Sequence, residues 1–146
     1  MQALQTITYN KTNKRRMGWA WTPWVQSAGA TVTLRCGDKP FHDAKVWLID
    51  AQALPGRMIN TLGGPVKPDK FGKLKVEGRA IEATEIEPNL FIEHMCLGVP
   101  WNLCLGLPPE FINYGPKPKK YWHIKVELSD DDFMFISRCR SDIYPK

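Results

Sequence analysis

The sequence predicts an all-β fold, a two-sheet sandwich of about eight strands, and three observations predict it. From Ala30 onward apolar and polar side chains alternate with a period of two: Val32, Leu34 and Cys36 fall against Thr31, Thr33 and Arg35. That is the pattern of a strand with one dry face and one wet face. The alternating runs are short and are separated by clusters of Gly, Pro, Asp and Asn, which favours a sandwich. Four cysteines, an even number, fall at or near strand ends, where disulfides can tie two sheets together.

Residues 1–29 read as an N-terminal tail and residues 30–146 as the domain. Met1 to Gln26 has no apolar periodicity, carries the basic run Asn13-Lys14-Arg15-Arg16, and groups Trp19, Trp21 and Trp24 around Pro23. The tryptophans are placed to cover an edge of the sandwich. No uninterrupted apolar stretch of ~7–15 residues follows the basic run, so no export signal is legible. No stretch approaches the ~18 apolar residues of a transmembrane helix.

Within the domain, the first strand ends at Cys36-Gly37-Asp38-Lys39-Pro40, a turn in which Gly37 can take positive φ and Pro40 fixes the exit. Ala44, Val46 and Leu48 then share a face opposite Lys45 and Trp47. A third, weaker strand is expected over Arg57 to Thr61, and Leu62 to Asp69, with two glycines and two prolines, reads as loop. Asp69 to Gly72 is a hairpin-like turn into Leu74 and Val76, interleaved with Lys73, Lys75 and Glu77, and Gly78 ends that strand. Leu90, Ile92, His94 and Cys96 project to one side, Phe91, Glu93 and Met95 to the other. Asn102 to Leu107 returns as a partner after the Gly98–Pro100 turn. The proline-rich segment from Leu107 to Lys120 is a crossing. Trp122, Ile124, Val126 and Leu128 form an apolar face against Tyr121, His123, Lys125 and Glu127, and Phe133 to Ser137 is the last strand. Nothing in the pattern needs a helix.

Composition narrows the function classes. A chain of 146 residues with 43% hydrophobic side chains buries one ordinary core. The net charge of +5 is modest, with cations scattered except at Lys11, Lys14, Arg15 and Arg16 and at Lys117, Lys119 and Lys120. No aromatic-plus-basic motif of a nucleic-acid reader accompanies them, which argues against a nucleic-acid partner. Lys117, Lys119 and Lys120, with Tyr121 and Trp122, form a candidate contact for an anionic surface such as a phosphatidylserine-rich membrane.

The cysteines suit an oxidising compartment, and four of them allow three pairings. Cys96 and Cys104 flank one tight turn, and Cys36 and Cys139 lie near the ends of the first and last strands. The expected pairing is therefore Cys36–Cys139 with Cys96–Cys104, and the alternative is Cys36–Cys96 with Cys104–Cys139. Cys96 and Cys104 stand too far apart in sequence for a structural zinc pair, so no metal and no cofactor is expected. His94 reads as a partly buried strand histidine with a backbone or carboxylate partner, and His42 and His123 as exposed. Asn10-Lys11-Thr12 is an N-glycosylation sequon.

Three motifs carry a family resemblance. These are Cys36-x-x-Lys39-Pro40, Asp69-x-x-Gly72-x-x-x-Val76-x-Gly78 and Pro88-x-Leu90-x-Ile92-x-His94-x-Cys96. Together they resemble the transthyretin-like family best known from nematodes, and the likeness runs from Ala30 to about Arg140. It implies a transthyretin-like (prealbumin-like) sandwich in an extracellular, disulfide-bonded protein. Where transthyretin has a short helix, Leu97 to Leu103 reads as a tight turn. A related enzyme on this fold, 5-hydroxyisourate hydrolase, ends in Tyr-Arg-Gly-Ser; this chain ends Arg140-Ser141-Asp142-Ile143-Tyr144-Pro145-Lys146, so no hydrolase residue carries over. With no convergent acid, base and nucleophile, enzyme activity is not expected. The resemblance implies a secreted binding or adaptor protein acting at the cell exterior, its partner a small hydrophobic ligand or an extracellular protein. The alternative it implies is recognition of phosphatidylserine and bridging to a cell-surface receptor.

Overall fold

The computed structural model of the chain describes residues 7–10, 13–14, 24–51, 60–130 and 139. Strands β1 (Ile7–Asn10) and β2 (Asn13–Lys14) pair as a small antiparallel ribbon. The sandwich is built from eight more: β3 (Trp24–Cys36), β4 (Lys39–Pro40), β5 (Ala44–Asp50), β6 (Asn60–Val66), β7 (Lys73–Glu82), β8 (Pro88–His94), β9 (Trp101–Gly106) and β10 (Trp122–Glu127). One sheet has β3 at its centre, with β10 on one side and β7 and β4 on the other; the second runs β6-β5-β8-β9. The helical content among the described residues is one 3-10 turn, Pro109–Phe111. The all-β sandwich expected from the alternation is the observed fold.

Alternation decides what each strand buries. Ala28, Ala30, Val32 and Leu34 of β3 face Val46 and Leu48 of β5, Leu90 and Ile92 of β8 and Leu103 and Leu105 of β9, with Leu74, Val76 and Val126 completing one core. Burying a side chain of this kind contributes ~1.5–3 kcal/mol relative to leaving it exposed. The β10–β3 pair is parallel, Trp122 opposite Ala30 through Glu127 opposite Arg35. A parallel neighbour needs a long crossover, and the proline-rich segment after β9 supplies it.

Strand boundaries differ from the sequence reading at several points; β9 starts at Trp101, inside the expected Leu97–Leu103 turn, and three other differences have a clear cause. The first strand starts at Trp24 rather than Ala30, because Gln26 is buried there without breaking the ladder. Its amide donates to the carbonyls of Glu82 (3.3 Å) and Thr84 (2.8 Å), and its Oε1 accepts from the Ile86 N–H (2.9 Å). A satisfied buried amide leaves no apolar signature. The segment read as loop after Thr61 belongs to β6, an edge strand of its sheet, where glycine, proline and an irregular register are tolerated.

β7 also continues past Gly78 to Glu82, in register with β3. Gly63 and Gly78 serve a different purpose from turn formation: they let β6 and β7, from opposite sheets, cross backbone against backbone. A Cβ on Gly63 would lie 2.0 Å from the Glu77 carbonyl oxygen, and one on Gly78 2.0 Å from that of Leu62. The expected strand at Phe133–Ser137, the start of the expected third strand at Arg57, and Trp19 and Trp21 lie outside the described residues.

The disulfides correct the expected pairing. Cys36 bonds to Cys96 (Cα–Cα 5.9 Å) and Cys104 to Cys139 (Cα–Cα 4.9 Å). Parity is the reason. Cys36 follows Val32 and Leu34 on the inner face of one sheet, and Cys96 follows Ile92 and His94 on the inner face of the other, so the two meet across the core. Cys104 lies opposite Phe91, whose ring faces outward, so Cys96 and Cys104 occupy opposite faces of their sheet. Cys104 bonds Cys139 there, beside Ile49 and Phe91, and the Cys139 N–H donates to the Asn102 carbonyl (3.1 Å).

Two measurements test this arrangement. Non-reducing peptide mapping should join Cys36 to Cys96 and Cys104 to Cys139; the closed loops, with separations of 60 and 35, are each worth about 4 kcal/mol in the chain-entropy model, so serine replacement of either pair should weaken the fold comparably. In chemical denaturation Gly63→Ala and Gly78→Ala should each cost more than Gly37→Ala. Gly37 has φ +62 but open space around it, so alanine there meets only the backbone penalty of about 1–2 kcal/mol.

Candidate functional site

Cys36–Cys96 braces one end of the sandwich, where four loops converge. The Gly37–Asp38 turn follows β3, and both residues have positive φ. The Glu127 carboxylate holds this turn, accepting from the N–H groups of Gly37 (2.8 Å) and Asp38 (3.2 Å) and from the Ser129 hydroxyl (2.7 Å). These donors, the hydroxyl foremost, pull its pKa down to about 2. Beside it, Asp69 caps its own turn by accepting from the N–H groups of Phe71 (2.8 Å) and Lys73 (3.0 Å). Gly72 has φ +77 and leaves room for the Leu34 carbonyl.

On this ordered frame stand apolar side chains that have not been buried. Phe71 lies in the Asp69–Gly72 turn, and Met95, Leu97 and Val99 lie in the turn between β8 and β9; all four are exposed. A cleft of about 360 Å³ opens at the same end, lined by Asp43, Lys45, Lys67, Glu93, His94 and Met95 among others. Its wall mixes these charged side chains with Ala44, Met95 and Pro100. Among the described residues no group of His, Cys, Asp and Glu converges to hold a metal ion.

His94 lies at the inner edge of this end and is 2% exposed. Its Nδ1 accepts from the Cys96 N–H (3.0 Å), which ties the imidazole to the disulfide-bearing residue. Its ring meets Phe41 edge-on, with centroids 6.3 Å apart. Accepting at Nδ1 places the proton of the neutral ring on Nε2. Burial pushes its pKa down to about 4. The expected backbone partner is found at Nδ1, but the ring is buried rather than partly buried and its Nε2 has no partner among the described residues.

The candidate lysine loop lies at the opposite end, where the crossing from β9 reaches β10. Lys120 donates to Glu110 (2.8 Å) and sits over the Phe111 ring (5.0 Å). The Tyr121 hydroxyl donates to Glu77 (2.6 Å), its ring lies against Gly29, and Lys75 sits over it (4.6 Å). Trp122 packs on the core beside Phe111. Asn113 holds the loop by donating to the Lys117 carbonyl (2.6 Å). Lys117 and Lys119 are the two side chains of the expected set that stand exposed without a partner among the described residues. All three lysines are exposed, Lys120 with Glu110 beside it, while Tyr121 and Trp122 are half-buried.

Known proteins place the chain. Residues 32–104 match the TTR-52 transthyretin-like family. Transthyretin-like protein 33 of Caenorhabditis elegans is 30% identical over 119 residues, covering 79% of this chain and 82% of the relative. The chain belongs to the transthyretin-like family. Among solved structures, a 9R-lipoxygenase from Cyanothece aligns with a TM-score of 0.36 at 12% identity, over 80% of this chain and 18% of the lipoxygenase. A likeness of that size carries nothing about fold or activity.

In this transthyretin-like chain each of the three motifs contributes to the braced end, through the Cys36–Pro40 turn, the Asp69–Gly72 turn and the His94-x-Cys96 strand end, while the second runs on along β7 to Gly78 and the third begins at Pro88 at the far end of β8. The exposed Phe71, Met95, Leu97 and Val99 were not among the sequence candidates. Their signal was present, in four bulky apolar residues within turns that need none. Among the described residues no helix is long and apolar enough to cross a membrane.

The His94 geometry has a measurable consequence. Its folded-state pKa lies below the ordinary value of 6.5, so between these values the unfolded chain binds the extra proton. Its contribution to stability is complete above about pH 6.5 and is lost as pH falls towards 4, on the order of 3 kcal/mol in all. Urea unfolding from pH 7.5 to 4 should show that loss, and His94→Gln should flatten the profile while starting from a lower stability.

Proposed function

We propose that this chain is an extracellular binding or adaptor module, non-enzymatic, that works through its surface. The observation carrying this reading is the braced end, where a cross-core disulfide and carboxylate-capped turns hold Phe71, Met95, Leu97 and Val99 in water. Exposed apolar side chains grouped on a rigid frame are the usual mark of an interaction site. Family membership supports a binding role, and two disulfides with no free cysteine among the described residues support an oxidising location. The exposed apolar turns, rather than the mixed wall of the cleft, favour a protein or surface partner over a small hydrophobic ligand.

A second reading, recognition of an anionic lipid surface, draws on the same end. Lys67 and Lys70 flank the exposed apolar turns, and apolar tips beside cations suit a membrane interface. The commitments of Lys120, Tyr121 and Trp122 leave the Lys117 loop less able to make that contact.

Fractionation tests the location: native protein should be recovered outside the cell with no titratable thiol. Recovery only from a reducing cytosolic fraction, with four thiols, would overturn the extracellular reading. Liposome sedimentation separates the two partners. Under the protein-partner reading phosphatidylserine vesicles bring down no protein. Under the lipid reading they bind in a salt-sensitive way, and Leu97→Asp with Val99→Asp abolishes binding more completely than Lys117→Glu with Lys119→Glu.

A further inference from the structure

The outer face of the β10-β3-β7 sheet carries a charge pattern that the braced end does not explain. Strand parity sends Thr31, Thr33 and Arg35 of β3, Lys73, Lys75 and Arg79 of β7 and His123 and Lys125 of β10 to this face. Register then arranges them in rows. Lys125 lies opposite Thr33, which lies opposite Lys73; His123 lies opposite Thr31, which lies opposite Lys75. Strands stand about 4.8 Å apart and alternate residues about 7 Å apart along a strand. The two lysines of the first row are therefore about 10 Å apart at the backbone, with a threonine hydroxyl between them.

The acids on this face do not neutralise it. Glu77 accepts from the Tyr121 hydroxyl and approaches Lys75 at 3.7 Å. Glu127 is turned to the N–H groups of Gly37 and Asp38. Arg35 donates to the Asp38 carbonyl, and no carboxylate among the described residues pairs with Lys73, Arg79 or Lys125. Lys73, Arg79 and Lys125 thus stand on this face without a carboxylate partner among the described residues, with Thr33 between Lys73 and Lys125, while Lys75 is paired with Glu77 and the Thr31 hydroxyl is engaged by His123 Nδ1.

We propose that this face is a docking surface for a linear sulfated polysaccharide. Charge complementarity is the first argument: a repeating anion matches repeating cations on a fixed ladder. The Thr33 hydroxyl between Lys73 and Lys125 can donate to a sulfate or sugar oxygen, whereas the Thr31 hydroxyl is engaged by His123 Nδ1. The chemistry of the face disfavours two other polyanions. The Tyr121 ring is covered by Lys75 on one side and rests on Gly29 on the other, which leaves no open stacking platform for nucleic-acid bases. The exposed Phe71, Met95, Leu97 and Val99 that would enter a membrane are at the end of the sandwich, off this face. The proposal rests on the extracellular reading, because that is where such a polymer would be met.

The test is binding of the full chain to size-defined heparin oligosaccharides, at several salt concentrations. Wild-type protein should bind, with affinity falling steeply as salt rises. Lys73→Glu with Lys125→Glu should weaken binding by about tenfold or more, equivalent to about 1.4 kcal/mol. Lys117→Glu with Lys119→Glu makes the same change in net charge at the far loop and should change affinity by less than about twofold. Lys73→Gln with Lys125→Gln, checked by thermal melting, separates loss of contact from loss of fold. Equal losses in both lysine pairs would reduce the effect to net charge and overturn the proposal. So would absence of heparin binding, or equal binding of desulfated heparin, single-stranded DNA or phosphatidylserine vesicles. Extracellular protein that ignores heparin would sink this inference alone, whereas cytosolic protein with free thiols would sink the reading beneath it.

Discussion

Strand β3 alternates between a dry face and a wet one, and the rest of the molecule is placed by that alternation. Its even-numbered residues, Ala28 to Leu34, meet the second sheet across the core, and the same parity delivers Cys36 to the inner face at the strand's end. Cys96 reaches the same point by the parity of β8. A bond between them needs no distortion of either strand, because both sulfurs are already on the inside. The odd-numbered residues of β3 cannot join the core, so the outer face must be made of groups that water tolerates. Threonine, arginine and the lysines of β7 and β10 fill that requirement.

The loops owe their order to polar groups that have been satisfied locally. Gln26 spends both ends of its amide on the segment between β7 and β8, and Asp50 accepts from the Glu87 N–H (2.9 Å) on the other side of that segment. A typical hydrogen bond contributes only ~0.5–1.5 kcal/mol net, but leaving such a group buried without a partner costs more. The effect is therefore to fix where the chain can go. Glu127 does the same for the turn after β3, and Asp69 for the turn before β7. Residues in those turns are ordered without being buried, which is the condition an exposed recognition surface needs.

What the sequence revealed, and what it hid, divides along the same line. Val32, Leu34, Leu90, Ile92, Ile124 and Val126 show their faces by simple alternation, and the core they form was legible from them. The start of β3 was not, because Gln26 and Ser27 are buried polar residues whose partners lie more than 50 positions away. β6 was hidden for a different reason: Gly63, Gly64 and Pro65 look like loop residues, and it takes the approach of β7 to Gly63 and of β5 to Gly64, which has positive φ, to explain glycines within a strand there. The cysteine pairing was legible in principle. The alternation already assigned Cys36 and Cys96 to inner faces, and proximity along the chain was the weaker guide. The partners of the lysine loop were not legible in the sequence, since Glu110 and Glu77, which meet Lys120 and Tyr121, lie 10 and 44 positions away.

An adaptor must hold two partners without making them compete, and this sandwich has surfaces of different chemistry in suitable places. The braced end offers apolar side chains on turns, and the outer face of the β3 sheet offers Lys73, Arg79 and Lys125 without carboxylate partners among the described residues. They differ in what they attract and in how salt affects them: an apolar contact persists as ionic strength rises, whereas contacts between exposed charges are screened within about 10 Å at 0.1 M. The edges between them are set by strands, so the geometry linking the two surfaces does not depend on a flexible joint. A polymer lying along the sheet would leave the braced end pointing away from it and accessible to a second partner. That separation would give this chain's disulfide-tied frame a physical use beyond stability.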